Sequence, residues 1–365
     1  MKLWGKYLLC GFVISLLSGC QVRPTDQGQQ YKDGRISEDF QLVNIPNAQG
    51  SPINAGDFQA QVKFISKSSP RLYGNNRATL DAIQNWMLSG GDPRELNQFG
   101  LLAYQMDGDD NYGNVKFTGY YTPVLQARHV KQGEFKYPLY RMPGKSRLRL
   151  PNRAAIYNGA LSEKFIIGYT NSLIDNFLME VQGSGYIDFG DGSPLTFFGY
   201  SGKNGHAYQS IGKILVNRGE VPLEKMSLKA IHQWASQHNE SEVRELLEQN
   251  PSFVFFKPEP FTPVRGASAV PLVAEASVAS DKVLIPPGTA LLAEVPVLDK
   301  TGKFTGQYRM RLMVALDVGG AIKGNHFDIY HGVGHDAGEA AGFYNHYGRV
   351  WVLKKSSSGF LTANQ

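Results

Sequence analysis

The segment that most restricts how this 365-residue chain can fold is 313–334, MVALDVGGAIKGNHFDIYHGVG. An apolar run closes at Asp317, Gly319, Gly320 and Gly324 permit sharp turns, and Phe327, Asp328, Ile329 and Tyr330 resume a strand. Side chains alternate along a strand, so with Phe327 and Ile329 in a core, His326, Asp328 and Tyr330 share the opposite face. The glycine-rich connection can bring Asp317 and Asp328 near one another. A carboxyl beside a second carboxylate, on a partly apolar wall, keeps its proton to higher pH and can give it to a leaving oxygen. Spacing alone favours a plainer reading, with Asp317 bonding local backbone in a turn and Asp328 solvated.

The rest of the chain is β-rich. It carries 40 glycines, and 12% of its residues are aromatic, which argues for strands with tight turns and against long helical bundles. Strands are expected within 116–130, 289–298, 309–317 and 349–353, and a hairpin with 186–189 and 195–198 flanking Asp191-Gly192. Leu80, Ile83, Trp86 and Met87 predict a helix over 77–89, stopped by Gly90-Gly91. Two further helices are expected, one after Ser227 and one starting after Asn239 or Ser241 and ending at Asn250-Pro251. Pro258, Pro260 and Pro263 mark a domain boundary.

The first twenty residues have another logic. Lys2 and Lys6 precede an apolar stretch from Tyr7 to Leu17, too short for the ~20 residues of a bilayer span. Leu17-Ser18-Gly19-Cys20 resembles a bacterial lipobox, which implies a signal peptide over 1–19 and a lipidated Cys20. Gln21 in place of Asp implies sorting to the outer membrane, facing the periplasm. Residues 20–39 are polar and are expected to be a tether reaching ~60 Å at most. Cys10 would leave with the signal, so no disulfide is expected. Without Lys2 and Lys6 the balance is 35 basic to 32 acidic residues, too even for nucleic acid as a partner.

Other chemistries fit poorly. His326, His331, His335 and His346 lack the spacing of a zinc motif, so no metal is expected. Gly199-Tyr200-Ser201-Gly202-Lys203 fails the serine-hydrolase elbow at its last position. Gly332, Gly334 and Gly338 miss the dinucleotide spacing by one.

Asp317-Val-Gly-Gly-Ala-Ile-Lys-Gly324 with Phe327-Asp328-Ile329-Tyr330 resembles the signature of the membrane-bound lytic murein transglycosylase A family and its three-aspartate domain, whose first aspartate matches Asp281. The resemblance continues through Phe117-Thr118-Gly119-Tyr120-Tyr121-Thr122-Pro123, Val181-Gln182-Gly183-Ser184-Gly185, Asn204-Gly205-His206-Ala207-Tyr208 and Asn250-Pro251-Ser252-Phe253. It implies a mainly β chain: a double-psi β-barrel over 40–122 and 260–365, interrupted by a smaller β-domain over 123–259, with a few short helices. A groove between them would hold a glycan strand of peptidoglycan. Asp328 matches the catalytic aspartate, Asp317 a supporting acid, and Thr118 a threonine at the reacting sugar. Tyr121, Gln182, Ser184 and Tyr330 are further candidates for sugar contact. No cofactor is implied, and contacts with wall-growth complexes are possible partners. The implied reaction cleaves the β-1,4 bond between N-acetylmuramic acid and N-acetylglucosamine and closes a 1,6-anhydro ring. Two alternatives stay open: a hydrolytic muramidase using both Asp317 and Asp328, and a non-catalytic wall-binding lipoprotein.

Overall fold

A computed structural model describes residues 31–356, apart from residues 33, 45, 145–149 and 261. Cys20 and the signal segment lie outside the described residues. In chain order the strands are β1 (Phe40–Val43), β2 (Leu101–Met106), β3 (Val115–Thr122), β4 (Val124–Arg128), β5 (Tyr137–Tyr140), β6 (Ile166–Thr170), β7 (Gly185–Asp188), β8 (Thr196–Lys203), β9 (Val254–Pro260), β10 (Ser277–Ala279), β11 (Ala290–Leu298), β12 (Phe304–Asp317), β13 (His326–Val333) and β14 (Asn345–Lys355). The helices are α1 (Ala55–Ser68), α2 (Pro70–Leu88), α3 (Arg153–Tyr157), α4 (Leu173–Gln182), α5 (Ile211–Asn217), α6 (Leu228–Ser236), α7 (Glu240–Glu248) and α8 (His335–Phe343).

Eight strands form one sheet in the order β1-β2-β14-β11-β12-β10-β13-β3. Because β3 also pairs with β14, six of them close on themselves as a barrel. The β10–β12 and β3–β13 pairs are parallel, and the remaining pairs are antiparallel. Leu291, Ala293, Met313, Ala315, Phe327, Ile329, Val350 and Val352 fill one side of this sheet. Their neighbours Leu292, Leu312, Val314, Trp351 and Leu353 point the other way, onto Phe58, Val62, Ile65, Leu80, Ile83 and Trp86 of α1 and α2. These two helices amend the expectation of short helices only. Apolar residues three and four apart give α1 its buried face, and Asn54 pins its start by exchanging bonds with the backbone of Leu312 (2.8 and 2.9 Å). The expected helix over 77–89 begins earlier, with Pro70 in its first turn, where a missing N–H costs nothing.

The chain leaves the barrel at Pro123 and enters a second sheet, ordered β5-β6-β4-β7-β8-β9. The hairpin is present, with Ile187 opposite Thr196. Pro258 is tolerated because β9 is an edge strand. A helical layer covers this body, through Phe177, Leu178, Leu215, Ile231, Trp234, Leu246 and Leu247. It is thus α+β and not purely β. Asn239 starts α7 with a reciprocal capping box to Glu242. The guanidinium of Arg153 grips Glu180 with two bonds (3.0 and 2.9 Å) in its interior.

The segment read as tether is partly laid on the barrel. Ile36 is 3% exposed and its N–H bonds Asn111. The Tyr31 hydroxyl donates to Glu294 (2.9 Å), and Arg349 lies over its ring. One buried apolar residue and one aromatic suffice to hold an otherwise polar stretch.

Candidate active site

The site forms where β13 lies between β3 and β10. Phe327 and Ile329 point into the barrel, both fully buried, which turns Asp328 to the other face. The parallel register sets Asp328 opposite Thr118, and Thr118 Oγ1 lies 2.7 Å from Asp328 Oδ1. His326, one step back on the same face, brings Nε2 to 2.8 Å from Thr118 Oγ1. On the other side, Ala279 of β10 pairs with Asp328 along one edge and with Asp317 along the other. The two acids therefore stand two strands apart, ~10 Å between their Cα atoms, with a single methyl between them.

The environments of the acids differ. Asp328 is half-buried, and the loss of water pushes its pKa up to about 6. The Thr118 bond and the nearby His331 pull it down, and Asp317 adds a small upward push. Asp317 is also raised by burial, but its oxygens are tied: Oδ1 accepts from the N–H groups of Ala267 (2.8 Å) and Val318 (2.9 Å), and Oδ2 from the Tyr120 hydroxyl (3.0 Å). Asp281 accepts from the N–H groups of Val283 (3.1 Å) and Gly324 (3.2 Å), which lower its pKa. It braces the connection that delivers β13, at a glycine whose φ of +59° suits a residue without Cβ.

The other sequence candidates lie around this floor. Tyr330 is 2% exposed, its ring 5.2 Å from that of Tyr120 and its hydroxyl 3.2 Å from Thr122 Oγ1. It buttresses the wall and does not face the opening. Gln182, the last residue of α4, accepts from the N–H of Tyr121 (3.0 Å), joining the two bodies beside the site. Ser184 is half-buried, between α4 and β7. Tyr186 and Phe197 of the second body pack with Tyr120, Val264, Ala279, Ile322 and Tyr330 of the first. The Tyr186 hydroxyl donates to the carbonyl of Thr262 (3.0 Å).

Sequence reasoning passed over Tyr120, the Ala267 amide and the role of His326. Alternation had put His326 on the correct face, but its partner is 208 positions away. The late histidines serve separate places: His331 sits 2.8 Å from Glu275, which also pairs with Arg311, and His346 accepts from the N–H of Asn345. Among the described residues, no three His, Cys, Asp or Glu side chains are grouped to share a metal ion.

Residues 116–257 match the family model of the MltA specific insert domain, and residues 276–354 match that of the 3D domain. The chain is 68% identical over 351 residues to the membrane-bound lytic murein transglycosylase A of Escherichia coli strain K12, covering 96% of both. It is 46% identical to the protein of that name from Vibrio cholerae, over 97% of this chain and 96% of the relative. The crystal structure of E. coli MltA with bound chitohexaose is similar at a TM-score of 0.88 and 68% identity, covering 92% of this chain and 99% of that one. A membrane-bound lytic murein transglycosylase from Agrobacterium tumefaciens matches at 0.68 and 25% identity, over 87% and 97%. From the two matched domains, and from that identity along nearly its whole length, this chain belongs to the membrane-bound lytic murein transglycosylase A family.

Proposed function

We propose that the chain is a lytic transglycosylase that cleaves the β-1,4 bond between N-acetylmuramic acid and N-acetylglucosamine in peptidoglycan, with Asp328 as its single acid and base. The observation that carries the reading is the contrast between the two carboxyls. Asp328 holds a proton to a pH of about 6, whereas Asp317 already accepts three hydrogen bonds. An ordinary glycosidase needs a second carboxylate to attack or to activate water. A carboxylate engaged by two amides and a phenol is a poor one. The C6 hydroxyl of the muramyl residue supplies the nucleophile instead, and being attached to the same ring it acts at high effective concentration.

Asp328 gives its proton to the glycosidic oxygen as the C1–O4 bond breaks. The C6 oxygen then closes on C1 and returns its proton to Asp328, so the carboxyl ends as it began. Thr118 holds the acid in place, and the nearby Asp317 adds to the rise of its pKa. The glycan lies in a groove between the two bodies, in keeping with the chitohexaose bound to the E. coli relative. Tyr121, Gln182 and Ser184 belong to its rim. We read the closed sheet as a double-psi barrel, supported by its two parallel pairs within an otherwise antiparallel ring. The domain limits are 40–122 with 260–365 for the barrel and 123–259 for the insert. Cys20 carries the lipid that anchors the chain to the outer membrane facing the periplasm, a reading supported by the membrane-bound character named for its relatives.

Digestion of purified peptidoglycan tests the reading. Released muropeptides one water lighter than reducing ends are expected. Reducing ends would mean hydrolysis with Asp317 as the second acid, and binding without release would mean a wall-binding module.

A further inference from the structure

The polar stretch ahead of the barrel ends on a built docking site. Glu294 of β11 and Arg349 of β14 form a buried ion pair (2.7 and 2.9 Å). Tyr31 covers it. Its hydroxyl donates to Glu294 (2.9 Å), the Arg349 guanidinium lies 4.4 Å from the centre of its ring, and the Tyr308 ring of β12 is 6.2 Å away. Asn114, 1% exposed, donates to the Tyr31 carbonyl (2.9 Å). Five residues on, Ile36 is buried and its N–H donates to the Asn111 carbonyl (2.9 Å). From Phe40 the chain is β1, paired with β2 from Met106 back to Ala103. A ring, a buried apolar side chain and a sheet edge thus hold three successive points of one segment. None of these partners belongs to the active site.

We propose that residues 31–43 are a strap that shortens the lipid tether and so limits how far the catalytic body stands from a phospholipid membrane. The proposal deepens the reading given above and rests on Cys20 being the lipidated residue. Ten residues, 21–30, separate Cys20 from Tyr31. Whatever their conformation, that length spans ~40 Å at most. With the strap released the chain would first be held at β1, nine residues later, and the limit would grow by ~30 Å. Tyr31 is tied to Asn114, just ahead of β3, and Thr118 beside Asp328 lies four residues further along that strand, ~13 Å away. Tether and offset together confine the acid to glycan within roughly 60 Å of the bilayer surface.

Two measurements test it. Neutron reflectometry of the full-length lipidated protein on a supported phospholipid bilayer reads the height of the protein layer. In Y31A/I36S that layer should move outward, within the ~30 Å that nine freed residues allow. Y31A alone frees only residues 31–35 and should move it less; if Y31A/I36S does not fold, Y31A decides. A ten-residue Gly-Ser insertion between residues 30 and 31 lengthens the tether with the strap intact and should also move the layer. The second measurement is trypsin cleavage after Arg35, at a bond that includes the Ile36 N–H held by Asn111. The wild type should be cut about tenfold more slowly than Y31A/I36S. A layer that moves with the insertion but not with Y31A/I36S rejects the strap, and so does equal cleavage. A layer that moves with neither means that another contact holds the barrel, and also rejects it. A wild type that does not bind the bilayer rejects lipidation of Cys20, and cleavage then still decides whether the strap is docked.

Discussion

Replacing Asp328 with Asn keeps the side chain's size and removes its proton chemistry, so two opposite effects should appear. Lytic activity should vanish, because an amide cannot protonate a leaving oxygen. Stability should rise, but only where the wild-type carboxyl is ionised. Folding moves that carboxyl from 3.8 to about 6, a displacement of about two units. At about 1.4 kcal/mol per unit this is ~3 kcal/mol. Residual solvent contact screens part of it, leaving ~1–2 kcal/mol. The folded-state pKa is raised, so the folded protein holds a proton that the unfolded chain has released. Wild type therefore keeps its full share of stability below about pH 3.8, loses it across the window up to about 6, and stays penalised above. Asn is neutral throughout. Urea unfolding of both proteins at pH 4 and pH 8 measures the contrast, and any fixed offset from an altered Thr118 bond cancels between the two. The Asn variant should gain ~1–2 kcal/mol on wild type between those pH values. A difference that does not change with pH, or that changes in the other direction, would refute the claim that burial strains this carboxylate.

The Gly119→Ala substitution would place a methyl 2.7 Å from the backbone of Ala341 and force α8 off the barrel, costing ~1–3 kcal/mol by thermal or urea unfolding. Arg153→Ala leaves Glu180 buried without its partner, at 5% side-chain exposure, and should cost ~3–5 kcal/mol in the same assay. Tyr120→Phe removes one of the three donors to Asp317; a loss of ~1–3 kcal/mol and a lower kcat/KM for anhydro-end release are expected. Cys20→Ala should move the protein from the membrane pellet to the soluble fraction, and retention in the pellet would count against lipidation.

What the sequence disclosed and what it withheld divide along physical lines. The face of β13 was legible because one side of that strand packs on the barrel core and the other carries the half-buried polar residues His326 and Asp328, so period-two alternation survives. On β11, β12 and β14 both faces are buried, one inside the barrel and one under α1 and α2. Such strands read as continuous apolar runs, which show that a strand is present but neither its register nor its ends. The helix α1 was missed although Phe58, Val62 and Ile65 have helical spacing, since a 14-residue stretch of mean polarity offers only those anchors. Asp317 satisfied two readings at once. It bonds its neighbour Val318, as a turn aspartate should, and also the remote Ala267 and Tyr120. The Thr118–Asp328 bond joins residues 210 positions apart. No local pattern encodes such a pairing; only the register of β3 on β13 creates it.

The three aspartates around one glycine-rich connection show how a fold assigns different work to one residue type. Asp281 sits at the surface with two amides and has its pKa lowered, so it serves as a fixed acceptor that braces a turn. Asp317 loses more water but receives three donors, two of them rigid backbone groups, which commit its lone pairs and limit the cost of its charge. Asp328 loses water and meets a single hydroxyl, which can turn. Burial raises the cost of a carboxylate and fixed donors lower it, so the acid with the fewest of them is the one that holds a proton. That same shortage leaves it free to release the proton and take another back, since no amide has to be broken for the carboxyl to change partners. By this reasoning a backbone N–H supplied to Asp328 would make the protein more stable and a poorer catalyst at once.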